Sequence, residues 1–392
     1  VPDCEDRYDQ LERTMKLQDP YLTERFEEKQ LEGFVGMMEG FLASLEDELM
    51  NFRTIEYKGI RKTEEELINL FYFKFQNAPL LSRMDAIRDY CVDEYETLLG
   101  RDLSEEELLI VQEKFDKMYV TKDIYKIYGW LLEECGYPSL PDVEYEKRKL
   151  EYEDVFPVLY LKYRLTGKAV HNHIKHLVID EMQDYSRLQY LIIRRMFSCK
   201  MTILGDRAQT MADQQQDVLQ FLPGIFGKDL RRIEMRKSYR NTVEIASYAA
   251  NLIGVTDLEL FERHGIPVVE RDVTDLEAAL REAVDTLFPD EKTYETAAVI
   301  VPDEKTAERA YLILREILVE KDFDCEKRLS WLNRDSSSFK KGLTVTTFYL
   351  AKGLEFDQVF SIFPKDEKRE MMMQAQYIAA TRALHELRVY HI

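Results

Sequence analysis

HLVIDEMQD (residues 176–184) is the stretch on which the reading of this chain turns. Its apolar run is short enough for a strand buried on both faces of a parallel sheet, and it stops at two acids, Asp180 and Glu181. Working outward, Ser186 to Phe197 has the spacing of an amphipathic helix, and MTILGD (201–206) is a second buried strand closing on Gly205 and Asp206. RRIEM (231–235) precedes KSYRN (237–241) and a helix through Asn251. TAAVIVP (296–302), GLTVTTF (342–348) and DQVFSIF (357–363) read as further strands, and Met371 to His385 as a helix. Short apolar runs alternating with helices predict an α/β fold with a parallel sheet.

Ligands of such sheets lie beyond the carboxyl ends of the strands, where residues 180, 181 and 206 fall. An Asp directly after a buried strand suits Mg²⁺ beside nucleotide phosphates, which gives Asp180 that role. Its neighbour Glu181 can orient and deprotonate a water attacking a γ-phosphate. Asp206 and Gln209 can sense the same phosphate by hydrogen bonding. Arg240 and Arg382 carry rigid forks suited to a phosphoryl group in its transition state.

The first 150 residues have a different texture. Glu27 to Phe52 places apolar residues three and four apart, and Lys122 to Glu134 predicts another helix, stopping near Gly136 and Pro138. Thr63 before three glutamates and Ser104 before three more are N-cap signals with acids in the first turn. No strand-period segment stands out. Residues 1–150 hold 35 acids and 20 bases, a balance of −15, whereas the remaining 39 acids and 34 bases give −5. The net charge of −20 argues against a protein that coats nucleic acid with basic surface.

Apolar residues make up 45% of the 392, with 15 Gly and 11 Pro, which excludes disordered and collagen-like classes. No window of about 18 uncharged apolar residues is present to span a membrane, and no secretory signal opens the chain. The five scattered cysteines show no CxxC spacing and fit reduced thiols in the cytoplasm. His171, His173 and His176 form an HxHxxH string without a nearby acid or Cys beyond the paired acids.

Five strings in order resemble superfamily 1 helicases of the UvrD/Rep kind. Asp180–Asp184 resembles their second motif (DExQD), Gly205–Gln209 the third (GDxxQ), and Lys237–Asn241 the fourth. Ala351–Asp357 is similar to the fifth and Ala380–Ala383 to the sixth. The resemblance implies RecA-like motor domains of the P-loop NTPase class that use ATP and Mg²⁺. It implies that Tyr239, Arg240, Gly353, Glu355 and Arg382 face the nucleotide, Glu355 at the ribose and the two arginines at the γ-phosphate. Gln209 would couple phosphate to DNA, and Asp206, Tyr349 and Lys352 would belong to that coupling and nucleic-acid set.

The departures from the pattern matter too. No GxxxxGK[ST] loop exists, the nearest string being Leu165–Ala169. The chain also lacks an initiator Met, so it reads as a piece of a longer protein and is expected not to bind ATP productively alone. The third motif continues Thr210–Asp217 without the aromatics on which bases stack at about 1–3 kcal/mol each. Arg240 and Lys352 stand too close for the large second insertion of UvrD itself. The Tyr349–Asp357 string is similar to the HelD branch, whose members include RNA polymerase recycling motors.

The expected layout is an acidic all-helical insertion at 1–155, the carboxyl half of a first RecA-like domain at 156–235, and a second at 236–392. Two functions follow from the resemblance: an ATP-dependent helicase or translocase on DNA, or an ATPase that binds RNA polymerase through an acidic helical arm mimicking nucleic acid. In either case the protein is expected to be cytoplasmic and monomeric.

Overall fold

The computed structural model describes residues 3–17, 28–167, 171–206, 209, 218–235, 237–255, 259–287, 294–321, 324–336, 341–365 and 370–392, with backbone alone at 14–17, 229 and 370. Thr210–Asp217, Arg207, Ala208 and the Lys168–Ala169 part of the nearest loop-like string lie outside them.

Helices Glu32–Glu48, Leu80–Leu99, Ile124–Glu134 and Tyr152–Thr166 bury one apolar cluster that includes Phe41, Leu45, Phe71, Ile87, Tyr128 and Leu161. Two starts follow directly from the sequence. Thr63 accepts from the Glu66 amide while the Glu66 carboxylate accepts from the Thr63 amide, and Ser104 and Glu107 repeat this capping box. Gly100, Gly136 and Gly167 end their segments in the left-handed region that favours glycine.

The expectation of an all-helical first part is corrected by a small antiparallel hairpin, Ile55–Tyr57 with Ile60–Lys62. Lys58 and Gly59 both take positive φ at its turn, as a two-residue hairpin requires. With three residues a side, the alternation was too short to register. A further strand, Asp3–Cys4, runs parallel to Lys149–Leu150. The boundary expected at residue 155 falls inside helix Tyr152–Thr166, and Leu188 and Ile192 beyond it also join the helical core.

The sheet strands of the rest are numbered here along the chain. Strands β1 (His176–Ile179) and β2 (Lys200–Ile203) pair in parallel and are covered by helices Arg187–Met196 and Val218–Phe226 through Ile179, Tyr190, Val218 and Phe221. The larger sheet contains β3 (Val269–Asp272), β4 (Thr296–Val301), β5 (Leu329–Trp331), β6 (Gly342–Thr347), β7 (Phe356–Phe363) and β8 (Ala383–His391). Its order is β5–β6–β4–β7–β8–β3, parallel throughout.

Both faces of this sheet are buried. Ala298 and Ile300 of β4 pack beneath helices Val243–Leu252 and Glu370–Ala380, while Ala297, Val299 and Val301 face Leu280 and Leu314 on the other side. The helix expected over Met371–His385 ends at Ala380, and ALHELRVYH is strand β8. Pairing with β7, from Phe356–Ala383 to Phe363–His391, overrides the helical spacing there.

Candidate active site

The paired acids leave β1 on a strained turn. Glu181 sits at φ 52° and ψ 50°, one of two non-glycine residues with positive φ among those described. Its amide donates to Asp180 Oδ1 at 2.8 Å, which stabilises the turn locally. The Glu181 carboxylate accepts from Gln183 Nε2 at 2.5 Å. Next to it the end of β2 closes in, with the Met182 amide bonded to the Leu204 carbonyl and the Asp206 amide to Gln183 Oε1. A Cβ on Gly205 would stand 2.5 Å from the Met182 nitrogen, so glycine is needed for this approach.

The third and sixth strings meet here. Gln209 donates to Asp206 Oδ2 at 3.0 Å and accepts from Arg382 Nη2 at 2.9 Å. Arg382 is 1% exposed and also donates to the carbonyls of Ile378 and Leu354. Burial and the neighbouring Arg240 charge pull its pKa down, against the opposing pull of Glu181 and Glu355. Arg240 Nε lies 2.5 Å from Glu355 Oε1, both half-exposed. Tyr377 places its hydroxyl 3.4 Å from Asp206, and burial ahead of that carboxylate pushes the phenol up. Acids and arginines from positions as far apart as 181 and 382 therefore share one volume beside the ends of both sheets.

Lys352 of the fifth string bridges the sheets. Its Nζ is 2.7 and 2.8 Å from the two Asp184 oxygens and 3.9 Å from Glu181. Burial raises the Asp184 pKa, with Lys352 pulling the other way. Both residues stood inside recognised strings, but nothing in the sequence paired them. Asn241 was likewise missed as a strut: its buried amide donates to the carbonyls of Thr381 and Ala383.

One assigned residue needs correction. Tyr349 is 1% exposed, with its ring stacked on Tyr8 at 5.3 Å and its hydroxyl donating to Glu12 at 2.5 Å, so it has no face to offer nucleic acid. Tyr239 is instead open at 62% exposure, 5.6 Å from Phe261 and under the Lys237 ammonium. Gly353 has φ 78°, which lets the turn carry Lys352 and Glu355 to the site. Asp357 ties the start of β7 to that of its central neighbour β4, accepting from the amides of Glu295 and Thr296.

The histidine string packs locally. His171 stacks on Phe197, and His176 bonds the Thr202 hydroxyl at 2.8 Å. Among the described residues no group of three His, Cys, Asp or Glu side chains is placed to hold a metal, and all five cysteines are free. No described helix is long and apolar enough to cross a membrane. Asp180 and Glu181 supply hard carboxylate oxygens, too few to cage a cation alone. They fit Mg²⁺, which is bound by one or two carboxylates together with substrate phosphates.

Residues 21–211 match the family model described as the UvrD/REP helicase N-terminal domain. Over that stretch, just under half of the chain, the sequence is similar to that family. No curated protein matches it significantly. Among solved structures, the C-terminal domain of a possible DNA helicase from Lactobacillus plantarum WCFS1 shares 23% identity at a TM-score of 0.31, covering 40% of this chain and 88% of that one. The PRRSV helicase shares 14% identity at a TM-score of 0.31, covering 68% of this chain and 45% of that one.

Proposed function

We propose that this UvrD-like chain carries the hydrolytic and coupling half of an ATP-driven motor that moves on DNA. The observation behind this reading is the convergence of Glu181, Arg240, Glu355 and Arg382, from both sheets, on one volume. In this reading Glu181 takes the proton of the attacking water. Asp180 holds Mg²⁺, which supplies charge neutralisation at the phosphates when bound. Arg240 and Arg382 contact the γ-phosphate, Glu355 the ribose, and Tyr239 the exposed side of the nucleotide. Gln209, bonded to both Asp206 and Arg382, passes the presence of phosphate from one sheet to the other. We assign the helical core from residue 28 through Thr166 as an insertion, residues 171–235 as part of a first motor domain, and 236–392, with helix Arg7–Leu17 packed against it, as a second.

The test is Glu181→Gln in the full-length protein, assayed with DNA. ATP binding should persist while hydrolysis falls by orders of magnitude. Wild-type turnover in that variant would remove Glu181 from the role of base.

A second reading is favoured by charge. The −15 balance of residues 1–150 suits a basic protein channel better than phosphate, which makes RNA polymerase the alternative partner. Retention of polymerase that falls steeply with salt, without tight DNA binding, supports this reading over the first.

A further inference from the structure

The segment Asp3–Leu17 belongs to neither sheet, yet it grips both sides of the candidate site. On one side, strand Asp3–Cys4 pairs with Lys149–Leu150, and the Glu5 amide donates to the Leu150 carbonyl at 2.9 Å. Arg13 adds a bond to Glu153 at 2.6 Å, and the Arg7 guanidinium lies 5.8 Å from the Tyr152 ring centre. Glu153 and Tyr152 open the helix that enters the helical core.

On the other side, helix Arg7–Leu17 is built into the second sheet's packing. Leu11 is 1% exposed within the cluster that holds Phe348, Tyr349 and Phe356. Tyr8 stacks on Tyr349, and the buried Glu12 accepts both the Tyr349 hydroxyl at 2.5 Å and the Glu304 amide at 2.9 Å. Asp9 meets Arg334 at 2.5 Å. The same end of the helix faces the bridge between sheets, since the Asp184 charge acts on Tyr8 and the Arg7 charge acts on Asp184.

We infer that Asp3–Leu17 is a positioning bracket: by clasping Tyr349 it sets the fifth-motif turn so that Lys352 reaches Asp184 and Glu181. The turn running from Thr347 to Leu354 carries both Tyr349 and Lys352, three residues apart. Its internal bonds are few: the Ala351 amide to the Thr347 carbonyl, the Leu354 amide to the Ala351 carbonyl, and a long one from the Leu350 amide to the Thr347 hydroxyl at 3.4 Å. Polar pairs such as Lys352–Asp184 tolerate little displacement, so an apolar and hydrogen-bonded hold on the back of the turn decides where the ammonium stands. Glu12, Tyr8 and Tyr349 are thus positioning residues that touch no substrate. Only the consequence for catalysis rests on the proposed ATP hydrolysis.

Hydrogen exchange on the whole chain, without nucleotide, tests the bracket directly. Tyr349→Phe keeps the ring and removes the bond to Glu12, and Glu12→Ala removes the acceptor. Each should speed exchange of the Ala351 and Leu354 amides about five- to tenfold, the value of one lost hydrogen bond, and leave β4 unchanged. Glu12→Gln retains an acceptor and should restore slow exchange in the turn. Unchanged exchange at 347–354 in both disruptive variants overturns the bracket, as does an equal rise in β4, which would mark general loosening. In full-length protein the same Tyr349→Phe should lower kcat with little change in KM. If the wild type hydrolyses no ATP, the motor reading falls while the exchange result stands.

Discussion

The acids of the helical region and the acids at the strand ends are chemically alike and end in opposite situations. Glu107 is closed on itself by Arg101, Lys58 and the Ser104 amide, and Glu66 caps its own helix. Asp154 is buried against Lys29 and Tyr128. Each satisfies a local need. Asp180 is exposed, beside Glu181 on a left-handed turn, with Arg382 from the start of β8 and Arg240 from beyond Lys237–Ser238 brought close to Glu181. Charge in a sequence marks a site when the fold delivers it, with opposite charge from remote segments, to the end of a sheet.

The comparison breaks most sharply at Arg382. Removing it should free Gln209 Oε1 and take away the fork proposed to meet the developing phosphoryl charge. Arg382→Ala is expected to cut single-turnover hydrolysis by about 10³–10⁵ in full-length protein, the worth of an arginine finger. Arg382→Lys should not recover it, because an ammonium lacks the planar fork. A rate within tenfold of wild type would make this buried arginine a structural strut joining Ile378 and Leu354.

The next effect lies at Gly205, where the end of β2 leans on the second motif. An added methyl meets the Met182 backbone nitrogen at 2.5 Å as well as the Gln183 and Met182 side chains, so Met182 and Gln183 must move. Gly205→Ala should cost about 1–3 kcal/mol in urea denaturation and displace Glu181 with them. Gly129→Ala in the helical region, where nothing lies within 4 Å of the new methyl, should be neutral or stabilising. Equal costs at the two positions would show that the strand ends are no tighter than the helices.

The same contrast explains what the sequence displays and what it hides. The strands before Asp180 and Asp206, the capping boxes at Thr63 and Ser104, and the α/β alternation are local patterns and are legible directly. The expected burial of those strands is corrected: β1 and β2 are covered on one face only, with Val178 61% exposed on the other. The convergence of Arg240 and Arg382 was legible only through resemblance, because no periodicity joins residues 142 apart. Hidden altogether were the grip of Glu12 on Tyr349, the bridge from Lys352 to Asp184, and strand β3, a four-residue edge in a charged stretch. The helix read over Met371–His385 hid only the start of β8, whose strand state is fixed by its partners β7 and β3. Long-range pairing decides each of these, and composition carries no trace of it.

The smallest effect tests the helical side. At Ser104 the hydroxyl accepts from the Glu107 amide at 3.4 Å, while Glu107 returns a bond from the Ser104 amide at 2.9 Å. Ser104→Ala should cost about 1 kcal/mol, a normal N-cap loss, with hydrolysis untouched. Glu107 adds a dependence on pH. Its hydrogen bonds to Arg101 and Lys58, then the Ser104 amide, hold its carboxyl far below the ordinary value of 4.5. A depressed acid stabilises the fold above its unfolded pKa, and that contribution drains away as pH falls through the folded one. Glu107→Gln should therefore be less stable than wild type at pH 7, and the gap should narrow steadily below about pH 4.5. The denaturation midpoints of the two proteins, measured from pH 7 down to pH 3, check this. A gap that stays constant over that range would mean that Glu107 acts through its shape rather than its charge. The acids of this region would then serve solubility alone, and the line drawn between the two kinds of acid would have to rest on the strand ends by themselves.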